Sequence, residues 1–140
     1  MISFKLTKND EIIVYLTDNT IKKLNIVCAN AHKTSLVQKT NDIELFLEME
    51  NINLITEAEI KIQEESLPRE VDSVRELFDY SLAAYNERCY LDGELEVTDG
   101  FTQSVSKYEY KDLFALQFQE KYVKDTKNTV IYVLLREKVR

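Results

Sequence analysis

The chain has 140 residues, 44% of them hydrophobic and 31% charged, and its 25 acidic and 18 basic side chains give a net charge of −7. That length predicts one domain, spanning 1–140, that buries a core without disulfides or metals, and the composition excludes wholesale disorder. An acidic balance without a dense Lys/Arg cluster argues against a dedicated nucleic-acid or anionic-membrane binder, and the absence of a long apolar run argues against membrane insertion.

The start lacks the basic, apolar and small-residue succession of a secretion signal, so a cytoplasmic protein is expected, exported if at all in folded form. Cys28 and Cys89 do not form a C-x-x-C pair and have a single histidine, His32, to work with, which fits reduced thiols. Two glycines and one proline exclude the nucleotide-binding and hydrolase families built on closely spaced glycines.

Ile2, Phe4 and Leu6 alternate with polar residues, the period of a half-buried strand. Asn9-Asp10 supplies turn residues, and Ile12, Val14 and Leu16 resume the alternation, which predicts a hairpin. Asp18-Asn19 predicts a second turn into a third antiparallel strand, Ile21–Cys28. Residues 29–41 lose periodicity and are locally basic, so a loop or extended arm is expected there.

Asp42–Glu50 alternates again, with Ile43, Leu45, Leu47 and Met49 on one side and acids on the other, except that Phe46 interrupts the polar face. Ala58, Ile60 and Ile62 predict the next strand. One helix is expected over Pro68–Tyr90, capped by Ser66, with Pro68 in its first turn. Its apolar stripe is Val71, Val74, Leu77, Phe78, Leu82 and Tyr85. Asp92-Gly93 predicts a turn into Glu94–Val97, Asp99-Gly100 another, and Asp112 a bulge in the strand that runs from Val105 toward Gln119. The continuous apolar run Val130–Leu135 predicts a strand buried on both faces, either inside the barrel or against a neighbouring subunit. The fold class is mainly β with one helix: an antiparallel barrel of about eight strands flanked by a helix at about 68–90.

No catalytic set emerges. His32 has no acid or nucleophile at a fixed spacing. Cys89 falls near a helix C-terminus, where the dipole does not activate a thiol. Glu44, Glu48, Glu50, Glu57 and Glu59 at period two can chelate a hard cation or act as acid/base pairs, but that period is also what a solvent-facing strand shows. The expectation is no enzyme, no cofactor and no metal.

From Ala58 onward the order of features resembles the tube protein of type VI secretion systems, the Hcp or TssD family. Ala58–Glu65 precedes a helix bearing Leu77-Phe78-Asp79-Tyr80, similar to the family's Leu-Phe-Asp-Trp. Gly93-Glu94-Leu95-Glu96-Val97, then Tyr108–Asp112 running into Phe114–Glu120, and a closing strand Thr129–Leu135 follow in the family's order. The glycine-rich segment of the family's first half has no counterpart here.

The resemblance implies a compact barrel with a flanking helix, six copies of which join into a ring, with rings stacking into a tube. It implies a structural subunit of a contractile injection or phage-tail-like apparatus whose partners are copies of itself and other proteins. Interface candidates are Phe46, Val130, Tyr132 and Leu134 on strands, with His32 and Lys33 on the arm. A small acidic binding protein, such as an immunity protein or a phage-encoded inhibitor of a host enzyme, is the alternative from another class.

Overall fold

A computed structural model describes residues 1–33, 36–50, 67–82 and 90–138, with the side chains of 29–39 and 50 excepted. The expected strand at Ala58–Gln63, the acids Glu57 and Glu59, the cap Ser66, and Tyr85 and Cys89 lie outside the described residues.

Among the described residues the chain is mainly β with a single helix, as expected. Seven strands are described: β1 (Ile2–Lys8), β2 (Glu11–Thr17), β3 (Ile21–Lys33), β4 (Leu36–Glu50), β5 (Leu91–Thr98), β6 (Val105–Val123) and β7 (Asn128–Glu137); the helix α1 (Glu70–Leu82) lies between β4 and β5. They form one antiparallel sheet in the order β2-β1-β5-β6-β7-β4-β3. Among the described residues the sheet does not close, so the expected barrel of about eight strands is not confirmed, and the seven described strands form an open, curled sheet.

The curl follows from chain geometry. β2 and β3 are the two edges, yet only Asp18, Asn19 and Thr20 connect them. A flat sheet of this width would hold its edges about 29 Å apart, whereas the Thr17-to-Ile21 connection spans at most about 14 Å. The edges therefore converge at this corner, where Thr20 O accepts the Glu48 N–H at 3.0 Å. They do not pair, so the expected third strand of an N-terminal meander instead belongs beside β4.

The long β6 makes the opposite corner. Residues 105–113 pair with β5, and residues 113–123 pair with β7. Between the two sets Asp112 adopts φ 54° and the register slips, the bulge expected from the sequence. Two wings thus face each other: β2-β1-β5 with the first half of β6, and the second half of β6 with β7-β4-β3. Their inward residues, led by Phe4, Leu6, Val14, Leu16 and Leu95 against Ile43, Leu45, Leu47, Val133 and Leu135, are fully buried.

Local chemistry explains the turns. Asn9 and Asp10 take φ 51° and 65°, the left-handed pair that matches the twist of a two-residue hairpin. Gly93, expected in a turn, lies inside β5 and is buried; a Cβ there would stand 2.4 Å from Leu113 Cδ1. The glycine lets Leu113 pack close against the strand, so a methyl group there would make Leu113 shift; it does not serve a bend.

The helix begins at Glu70, two residues after Pro68, and its first turn carries Glu70 and Asp72, favourable at the positive end of the helix dipole. Its buried residues are Ser73, Val74, Leu77 and Tyr80, while Phe78 and Leu82 are 43% and 67% exposed. The inward stripe is therefore rotated from the expected one, because the helix turns polar groups toward the edge of β2. Ser73 Oγ accepts the Tyr15 N–H at 2.9 Å, and Glu70 Oε1 accepts the Thr17 N–H at 2.6 Å and the Thr17 hydroxyl at 2.9 Å. At its far end the Tyr80 hydroxyl donates to the Leu113 carbonyl. Helical side chains stand where a neighbouring strand would be. Among the described residues, no helix is long and apolar enough to cross a membrane.

Candidate interaction surfaces

β7 lies between β6 and β4, and its residues alternate: Ile131, Val133 and Leu135 are buried, Tyr132 and Leu134 half-buried, Val130 36% exposed. Burial of both faces within one chain is thereby corrected, which leaves the outer face to the other expectation, a neighbouring subunit. Among the described residues, the outward side chains are flanked by their cross-strand neighbours on β4 and β6.

Register brings four of the sequence candidates onto one outer face. Phe46 is opposite Tyr132, Glu44 opposite Leu134 and Glu48 opposite Val130. The Phe46 and Tyr132 rings meet at 5.0 Å between centroids, and Lys23 Nζ lies 5.0 Å over the Phe46 ring from β3. Such cross-strand ring and cation contacts give this face a partly apolar character.

The acids of β4 are engaged. The Tyr132 hydroxyl donates to Glu44, which pushes the phenol up to about 12, and Asn25 Nδ2 donates to the other oxygen of Glu44 at 3.4 Å. Asn128 Nδ2 donates to Glu48 at 2.9 Å. Asp42, 8% exposed, receives Arg136 through two bonds of 2.8 and 2.9 Å, and that carboxylate raises the guanidinium pKa further. These carboxylates are therefore committed to cross-strand bonds, and among the described residues no group of three or more His, Cys, Asp or Glu is placed to hold a metal.

His32 and Lys33 are not part of this face. They fall at the far end of the β3–β4 hairpin, opposite Val37 and Leu36. The β4–β7 ladder ends at Asp42–Arg136, but β3 and β4 stay paired for six further rungs, Cys28–Asn41 to Lys33–Leu36. Cys28–Lys33 and Leu36–Asn41 thus run as a two-stranded ribbon about 20 Å long. Non-repeating polar residues concealed this ribbon, since neither of its faces carries a continuous apolar pattern.

One open apolar groove of ≈ 390 Å³ lies between α1 and the sheet, walled by Val74, Phe78, Met49, Phe118 and Ile131. Phe78, expected inside the helix stripe, meets Phe118 edge-to-face there at 5.4 Å.

No protein-family model, curated protein or solved structure matches this chain.

Proposed function

We propose that this chain is a structural subunit that works by self-assembly, as a ring or tube component of a contractile injection or phage-tail-like apparatus. The observation that carries this reading is the paired ribbon of Cys28–Lys33 with Leu36–Asn41. A two-stranded ribbon is marginally stable by itself, and its backbone edges and side chains gain most by lying against another subunit. Its composition suits such contact: residues 29–41 contain Lys33, Lys39 and His32 and no acid, in a chain of net charge −7. A basic arm on an acidic body favours head-to-tail contact between copies, and head-to-tail contacts close into rings when the rotation permits. The Phe46–Tyr132 face supplies a second surface for the neighbour.

Light scattering over a concentration series, with negative-stain microscopy, tests this reading. Hexameric rings or tubes are expected, weakening as salt rises. A second chain, in which an Asn-Gly turn joins Asn30 directly to Lys39, should stay folded and become monomeric. A full-length chain that is monomeric at every concentration overturns the proposal.

A further inference from the structure

The ribbon leaves the body just past Asp42–Arg136, the last rung of β4 on β7. The inward rows of these two strands change character at that point. Ile43 and Leu135 are fully buried, and two residues further along the same rows stand Asn41 and Glu137. No backbone rung joins them; Asn41 Nδ2 donates instead to Glu137 Oε1 at 3.2 Å. The other oxygen of that carboxylate accepts the Lys111 N–H at 2.9 Å. Lys111 lies in the half of β6 that pairs with β5, directly before the bulge at Asp112. The Lys138 N–H donates to the Asp112 carbonyl at 2.9 Å, so the chain following Glu137 is tied to the same bulge.

One carboxylate thus links the root of the ribbon to the opposite wing. A two-stranded ribbon twists and bends easily, and the ladder between its own strands does not fix its direction relative to the sheet it springs from. Bonds from outside the ribbon can. Hydrogen bonds to an ionised carboxylate are about twice as strong as neutral ones, and the two at Glu137 run to different parts of the fold. Both partners donate, which suits a group with two acceptor oxygens.

We infer that Glu137 is a positioning residue for the arm: it fixes the direction in which the ribbon leaves the body. An arm aimed beforehand loses less freedom when it meets a neighbouring copy, so the bond at its root favours assembly. That consequence rests on the assembly reading, whereas the fixed direction belongs to the single chain.

The test uses the full chain with Cys28→Ser and Cys89→Ser, spin-labelled at Lys33→Cys on the arm and Ser106→Cys on β6. Pulsed electron paramagnetic resonance then reads the arm-to-wing distance, and dilution with unlabelled chain confines the readout to one molecule. One narrow distance distribution is expected. Glu137→Ala and Asn41→Ala should each about double its width while circular dichroism shows the body folded. Asn41→Asp sets two carboxylates face to face and should widen it as well. Glu137→Gln should keep it narrow, because its oxygen still accepts the Lys111 N–H and its amide donates to a turned Asn41. If Glu137→Ala does not fold, the two Asn41 variants decide the matter, since they leave β7 unaltered. A broad distribution in the parent chain, or a width unchanged by the Asn41 variants, would overturn the inference. A chain that never assembles but keeps a narrow distribution defeats the assembly reading and leaves this inference standing. Normal assembly with a broad distribution does the reverse.

Discussion

Ser73 Oγ on the helix accepts the backbone N–H of Tyr15 on the edge strand at 2.9 Å, and Ser73 is fully buried. One hydroxyl therefore satisfies a donor that a pairing strand would otherwise have taken. Ser73→Ala strands that N–H away from water, and the expected loss is about 1–3 kcal/mol in urea unfolding. Amide exchange at Tyr15 should quicken more than at residues of β1. If Ser73→Ala is neutral, the helix merely covers the edge and does not complete it.

Gly93 is held at its position by Leu113. A methyl group at Gly93 meets a fully buried leucine at 2.4 Å, with Tyr110 Cβ at 3.5 Å behind it. Gly93→Ala should cost about 1–3 kcal/mol through overpacking. Combined with Leu113→Ala, the second methyl should cost much less than it does alone. Additive losses in that double-mutant cycle would show that the clash is not the cause.

Tyr132 links the outer face to alkaline stability. Its bond to Glu44, with partial burial, lifts the phenol from 10.0 to about 12. A pKa raised by folding means that the folded chain holds the proton longer than the unfolded one. The stabilisation is complete below pH 10 and is lost as pH rises through about 12. Tyr132→Phe should be less stable than the unaltered chain at pH 8 to 10, with the gap closing toward pH 12. Burial lifts Tyr110 to about 12 as well, but it is common to both chains and cancels in the difference. A gap independent of pH in chemical unfolding would refute the linkage.

The strand alternations were legible because each strand buries one face: Phe4 and Leu6, Val14 and Leu16, and Leu45 and Leu47 are all fully enclosed. The path from β2 to β3 was not, since a three-residue connection between strands ordinarily signals a hairpin and here joins opposite edges. Ser73 escaped the apolar stripe because its inward role is to accept a backbone bond, which hydrophobic periodicity does not register. Asp92-Gly93 read as a turn from its dipeptide alone, whereas the glycine answers to Leu113, a contact twenty residues away. Phe46 stood out as an apolar residue on a polar phase. Its partner Tyr132 became evident only with the register of β4 on β7.

Val133 and Val130 separate folding from assembly on the same strand. Val133 is fully buried opposite Leu45 and Phe118. Val133→Glu places an unpaired carboxylate in that interior at a cost above about 4 kcal/mol, a large share of the 5–15 kcal/mol that holds a typical domain together. The expected outcome is loss of the cooperative thermal transition. Val130 is 36% exposed on the outer face, between Glu48 and Lys121. A lysine there has one opposite and one like neighbour, so Val130→Lys should change stability by less than about 0.5 kcal/mol. On the assembly reading it should still shift the mass seen by light scattering toward monomer. Unchanged assembly in Val130→Lys would remove the outer face of β7 from the interface, leaving the arm to carry the contact by itself.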